Sequence, residues 1–338
     1  MTDLTSPVPT SAPRAASPRT PIVGLTVDRR RGLQLILAGI WLFDGILQFQ
    51  PFMFTKNFAA MIIYPTISSN PSVVASPMSW AQRIITDHPI GTNTAFACIQ
   101  LALGLAIAWR PTVKLGLAAS VPWALAVWWF GEGFGGVLDG SASPLTGAPG
   151  GVILYALLAV LLWPSRRDVP TGHAETEAAA FVGAHAARAL WLILWASLAY
   201  FALQPANTGS GAISQQISGM VTGQPRWLAS IMNHAASLAA GRGLAISIVL
   251  AVILSAIPVS VYLPWIRARR TLLVVAIGTA TVIWVVSEAL GGLFTGMGTD
   301  PNTGPLLALL ALVYWPTSAK PGSADAQLAL ASLSGGVS

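Results

Sequence analysis

The stretch from Trp128 to Gly147, W-W-F-G-E-G-F-G-G-V-L-D-G-S-A-S-P-L-T-G, returns from Trp284 to Gly304 as W-V-V-S-E-A-L-G-G-L-F-T-G-M-G-T-D-P-N-T-G. Each copy carries an acid in an apolar run, Glu132 and Glu288, followed by a glycine pair, Gly135 with Gly136 and Gly291 with Gly292. On a helix, residues three and four apart share a face, so the spacing predicts a charge beside helix-packing glycines where a second backbone approaches closely. The chain reads as a tandem duplication.

The repetition reaches further. Trp41–Gln50 with Pro51 aligns without a gap with Trp195–Gln204 and Pro205, Trp80 aligns with Trp227, and Asp87-His88 with Asn233-His234 after a slip of one residue. The last apolar segment ends in Trp315-Pro316 as the fourth ends in Trp163-Pro164. With four spans in each copy the halves share one orientation, as parallel repeats about an axis along the membrane normal. The expected units are a disordered cytoplasmic N-terminus at 1–28, a first repeat at 29–164, a cytoplasmic linker at 165–188, a second repeat at 189–317 and a disordered tail at 318–338.

Composition supports a membrane setting. Hydrophobic residues make up 54% and charged residues 9%, where a soluble domain carries roughly 25% charged residues. The expectation is an all-α polytopic protein. Eight apolar segments run approximately Leu33–Gln50, Ala95–Trp109, Leu115–Leu138, Gly150–Trp163, Leu190–Leu203, Gly243–Tyr262, Thr271–Phe294 and Pro305–Trp315. Although Arg29–Arg31 precede the first of them, no small-residue cleavage site follows, so it reads as a transmembrane helix and not as a signal peptide.

With both termini in the cytoplasm, fourteen of the 18 Lys and Arg fall inside, leaving Lys56, Arg83, Arg226 and Arg242 outside. This is the positive-inside pattern of a multi-pass protein of the cell's inner membrane. It accounts for the net charge of +6 without a nucleic-acid partner. The lone cysteine, Cys98, excludes an internal disulfide and reads as a small buried thiol. The long outer loops, about 51–94 and 205–242, are expected to lay amphipathic helices on the membrane surface, the first opening at a capping box over Ser79–Gln82.

Four groups of residues bear on chemistry. Glu132 and Glu288 lie 17 residues into their spans, about 26 Å along and near the outer edge of a roughly 30 Å core. An acid there is a candidate ligand or proton site, or a structural acceptor for loop backbone and hydroxyls. Asp44 sits about 16 Å along the first helix, where the second copy has Leu198. It is a second candidate ligand or proton site, with Gln48 one turn on as a hydrogen-bond partner. His88 and His234, with the two glutamates, are a candidate metal site or haem ligand pair, and outer-side Met53, Met61, Met78, Met220, Met232 and Met297 suit copper. No phosphate-binding glycine loop, Gly-x-Ser-x-Gly or Cys-His cluster is present, so ATP hydrolysis and serine chemistry are not indicated.

The first-helix motif Gly39-Ile40-Trp41-Leu42-Phe43-Asp44-Gly45-Ile46-Leu47-Gln48-Phe49, an outer loop and three more helices in about 140 residues resemble the DoxX/DoxD-like four-helix membrane family, here doubled. The resemblance implies quinone-linked sulfur oxidation or a membrane redox partner, without transferring any catalytic residue. The functional expectation is a redox-associated, quinone-interacting membrane subunit. The alternatives are a carrier or sensor for a small solute or metal ion that opens to the outer face, and a structural partner in an envelope complex.

Overall fold

The computed structural model describes residues 28–165 and 176–316, and no strand occurs among them. The termini expected to be disordered fall, apart from Asp28, outside the described residues, as does the middle of the linker. Helices of eight or more residues are α1 (Arg29–Leu47), α2 (Ser72–Asp87), α3 (Pro89–Ala108), α4 (Val113–Phe130), α5 (Gly151–Leu161), α6 (Ala184–Ala202), α7 (Ala212–Gly219), α8 (Arg226–Ala239), α9 (Gly243–Ala256), α10 (Ile266–Val286) and α11 (Thr303–Val313).

Five helical segments among the described residues are long and apolar enough to cross a membrane: α3, α4 with its leading turn, α6, α9 with its trailing turn, and α10. Their outward faces expose Leu105, Leu115, Val252 and Val282, consistent with a lipid bilayer as the surrounding solvent. Helix α1 falls short of that composition because Arg29, Arg30, Arg31 and Asp44 lie within its 19 residues. Helices α5 and α11 are apolar but only 11 residues each.

Corresponding helices pair alike in the two halves of the chain. α1 packs on α3 and α4 on α5, while α6 packs on α9 and α10 on α11. Between the halves, α11 touches both α5 and α1, and one continuous apolar core runs through all of these helices. Trp41 stacks at a tilt on Tyr155, with ring centroids 4.2 Å apart, and Trp191 on Tyr314 at 4.5 Å.

The first turns of α1 bind three helix C-termini, where carbonyls lack helical partners and carry partial negative charge. Arg29 donates to the Leu312 carbonyl in the last turn of α11 and to that of Trp315 just beyond it, Arg31 to Ile107 and Ala108 at the end of α3, and Gln34 to Leu162 at the end of α5. Arg30 pairs with Glu177 at 3.0 Å. The arginines that read as a topology signal therefore also fasten one end of the bundle.

The glycine pairs correct the expected helix seams. α4 stops at Phe130 and α10 at Val286, and four consecutive residues then take positive φ: Gly133, Phe134, Gly135 and Gly136 in one half, Ala289, Leu290, Gly291 and Gly292 in the other. Each set is a single left-handed turn, disfavoured for L-residues and eased by its glycines. A Cβ at Gly135 would collide with the Pro149 carbonyl, and one at Gly291 would come within 2.6 Å of the Asp300 carbonyl. Neither pair of glycines is a helix-packing face. The close helix crossing lies between α1 and α3, where a Cβ at Gly104 would meet the Ala38 carbonyl at 2.9 Å and one at Gly45 the Leu101 side chain at 2.7 Å.

Two further expectations change. Cys98 is exposed, because the buried face of α3 runs through Asn93, Ala97, Gln100, Gly104 and Ile107 and Cys98 lies off it. Ser79–Gln82 lies inside α2, which starts earlier, after Pro71. At the end of the molecule away from Arg29, the connecting segments build two small cores of their own, one around Met53, Phe58 and Met78 with Phe134 against it, the other around Ile213, Leu228 and Met232 with Ala289.

Gly104→Leu is expected to lower the thermal midpoint in detergent, corresponding to about 1–3 kcal/mol of overpacking. Gly39→Leu, where a Cβ meets nothing within 4 Å, should leave it unchanged; equal effects would contradict the α1–α3 crossing.

Candidate functional site

Both repeated acids serve the helix that follows them. The left-handed turn folds the chain back so that each carboxylate reaches the amino-terminal turn of the next helix, where N–H groups have no intrahelical partner. Val152 N–H in α5 donates to Glu132 Oε1 at 3.2 Å. In α11, Gly304 N–H donates to Glu288 Oε2 at 3.2 Å and the Thr303 hydroxyl donates to Oε1. One turn before each acid a tryptophan pins the same loop: Trp128 Nε1 donates to the Pro149 carbonyl at 2.6 Å and Trp284 Nε1 to that of Pro301 at 2.7 Å.

The two acids differ in what is left over. Glu288 is 1% exposed with both oxygens bonded. At the position of Thr303 the first half has Gly151 (aligning Trp163-Pro164 with Trp315-Pro316), so no hydroxyl reaches Glu132, and its Oε2 is buried without a partner.

Glu132 is also one of the residues lining a cavity of about 330 Å³ walled by α1, α2, α3, α4 and α5. The lining is mainly apolar and aromatic, including Phe58, Trp80, Phe96, Trp123 and Phe130. Asp44 enters it from α1, and its hydrogen bond comes from the Tyr155 hydroxyl on α5, at 2.5 Å to Oδ2, and not from Gln48. Asp44 Oδ1 is unpartnered, as are Gln48 Oε1, Gln100 Oε1, Trp41 Nε1 and Trp123 Nε1 on the same wall. Asp44 and Gln48 are 2% and 3% exposed, so bulk water does not satisfy them; polar atoms so placed are few in native proteins and call for an explanation.

The second half contributes one wall. Thr299 and Asp300, from the loop before α11, close the cavity on the far side from Arg29. Asp300 accepts from Asn302 N–H and the Thr299 hydroxyl, both at 2.7 Å, while burial, its largest influence, raises its carboxyl above the usual range. A more polar hollow of about 420 Å³, lined by Ser69, Asn70, Asp139 and Ser141, shares Ile62, Gly131, Glu132, Thr299 and Asp300 with the cavity. These five residues stand between the apolar chamber and the polar one.

The equivalent positions in the other half are apolar and buried. In place of Asp44, Gln48 and Tyr155 stand Leu198, Ala202 and Leu307, and in place of Asp300 stands Ala148, buried against Phe201. Three polar side chains there bond in a chain: Asn207 Nδ2 donates to the Ala142 and Phe201 carbonyls, Gln216 Nε2 to Asn207 Oδ1, and the Ser143 hydroxyl to Gln216 Oε1, while Trp195 Nε1 is unpartnered like Trp41 Nε1.

Asp44, Gln48 and Glu132 are thus brought together, with Glu288 apart. His88, at the end of α2, and His234, within α8, are both exposed, and among the described residues no three His, Cys, Asp or Glu side chains are grouped to hold a metal. Met53, Met78 and Met232 are core side chains of the small outer clusters. Tyr155 and Asp300 were missed from the sequence, although Tyr155 changes to leucine in the same copy as Asp44. Comparison with family models, curated proteins and solved structures finds no match.

Tyr155→Phe should destabilise the protein by about 1–3 kcal/mol, because Asp44 loses its one donor while still buried. Adding Asp44→Leu should recover part of that loss, a coupling readable in a double-mutant cycle of thermal midpoints. Strictly additive losses would contradict the pairing.

Proposed function

We propose that the chain is an inner-membrane protein of eight spans in two parallel four-helix units, both termini cytoplasmic, and that its first unit binds a small apolar molecule with a polar head. In this reading α1, α3, α4 and α5 form the first unit and α6, α9, α10 and α11 the second. The protein acts as a carrier or sensor whose cavity communicates with the outer face through the polar hollow beside Asp300. The carrying observation is the contrast between units: Asp44, Gln48, Gln100 and Glu132, each with an unpartnered oxygen, line the first-unit cavity, whereas the second unit has Leu198, Ala202 and Leu307 in place of Asp44, Gln48 and Tyr155 and bonds both oxygens of Glu288, the indole N–H of Trp195 being unpartnered there as that of Trp41 is in the first. Duplication left a structural copy and a specialised one.

A quinone subunit is the second reading, favoured by two unpartnered indole N–H donors, Trp41 and Trp123, on an aromatic wall. They suit carbonyl oxygens, and the DoxX/DoxD-like motif around Asp44 points the same way. Quinone binding would use these donors with the amides of Gln48 and Gln100; no residue is placed for a particular redox reaction.

Titration of the reconstituted protein with a short-chain quinone or with a naphthyl compound should give saturable tryptophan quenching and a higher thermal midpoint. The effect should vanish in the variant combining Asp44→Leu, Gln48→Ala and Tyr155→Leu, which copies the second unit. Saturation by quinone alone selects the second reading, and quenching retained in that folded variant contradicts both.

A further inference from the structure

We infer that the ligand of the Asp44 cavity is a lipophilic amine, bound as its cation, with the ammonium group on the free carboxylate oxygens and its apolar body against the aromatic wall. This rests on the proposal that the cavity is a ligand site, and it names the chemical class that the site takes.

Charge carries the argument first. Asp44, Glu132 and Asp300 all line the chamber, and no Lys, Arg or His does among the described residues. An ionised carboxylate away from water is costly unless paired, and acids within membranes pair with another group or line a pathway. Protein donors do not complete the pairing here. Tyr155 already gives its hydroxyl proton to Asp44 Oδ2, leaving Oδ1 open, and Val152 N–H occupies only Oε1 of Glu132. Asp300, in contrast, is bonded at both oxygens. Four of the six unpartnered polar atoms on cavity-lining residues are acceptors, Asp44 Oδ1, Glu132 Oε2, Gln48 Oε1 and Gln100 Oε1, against two indole donors, and an ammonium group with up to three N–H donors suits that excess of acceptors.

Shape and wall chemistry agree with this. At about 330 Å³ the chamber lies near the lower end of small-ligand pockets, about 300–1,000 Å³. Phe96 and Trp123 meet with centroids 5.7 Å apart on one side and Trp41 leans on Tyr155 on another. Aromatic faces attract an organic cation more than a neutral body of the same size. A carboxylate ligand would meet three acids of its own sign. A neutral ligand would leave Asp44 and Glu132 uncompensated unless each held a proton, and that alternative is what the test separates.

The test uses the full-length protein in lipid nanodiscs, with empty nanodiscs as reference, and calorimetric titration with 2-(1-naphthyl)ethylamine and with 2-(1-naphthyl)ethanol. These probes share a body and differ in the group that carries charge. The expected result is saturable binding of the amine at least tenfold tighter than the alcohol, with the preference lost in Asp44→Asn or in Glu132→Gln. Equal binding of the two probes would overturn the amine assignment while leaving the cavity as a ligand site. Absence of saturable binding by either, alongside saturable quinone binding, would overturn it in favour of the quinone; absence of all binding would overturn the ligand site itself. A preference that persists unchanged in both folded variants would place the amine elsewhere and so also overturn the inference.

Discussion

A glutamate side chain accepting hydrogen bonds from the first turn of the next helix is the contact on which the rest of the arrangement depends. Helices α5 and α11, at 11 residues each, are about 16 Å long, about half the hydrocarbon thickness of a bilayer. Their amino-terminal N–H groups have no intrahelical acceptor, and an unsatisfied backbone donor away from water costs several kcal/mol. Glu132 and Glu288 supply the acceptors, Trp128 and Trp284 hold the intervening loops, and the left-handed turns aim the chain so that acid and helix meet. Acids inside apolar runs, otherwise hard to reconcile with a membrane chain, follow from short helices that need caps.

Once that contact is in place, small substitutions decide which half has open chemistry. Threonine at position 303 gives Glu288 a second partner, and glycine at position 151 leaves Glu132 one short. Aspartate and tyrosine at 44 and 155 make a polar pair in the first half where Leu198 and Leu307 fill the second. The exchange of loops between halves adds Asp300 to the first cavity and Ala148 to the packing around Phe201. Neither half is complete alone: Gln50 of the first donates to the Gly298 carbonyl of the second, and Asn207 of the second to Ala142 of the first.

Much of this was legible in the residues. Hydropathy marked the long apolar helices, the repeated stretch identified Glu132 and Glu288 as equivalent, and the Asp44-to-Leu198 difference marked where equivalence ends. What misled was the glycine pair, since glycines three and four residues after an acid fit a helix seam as well as a left-handed turn. Phe134, Ala289 and Leu290 adopt positive φ without any residue-type signal. Tyr155 was hidden in an apolar run and emerges only when the Trp-Pro endings of the fourth and last segments are aligned. Asp300 could not be found by repeat logic, because it joins the cavity of the opposite half. His88 and His234 match in sequence but not in place, His88 capping the end of α2 and His234 lying within α8.

The central claim is that the two halves share a capping framework but only the first keeps an open, ligand-holding chamber. An experimental density map of the protein purified gently from its own membrane tests this most directly. The account predicts a bound molecule in the Asp44 chamber within hydrogen-bond reach of Asp44 Oδ1 or Glu132 Oε2, and side-chain density alone around Leu198 and Leu307. A collapsed chamber with Asp44 and Glu132 bonded to protein groups, or equal occupancy of both halves, would contradict it.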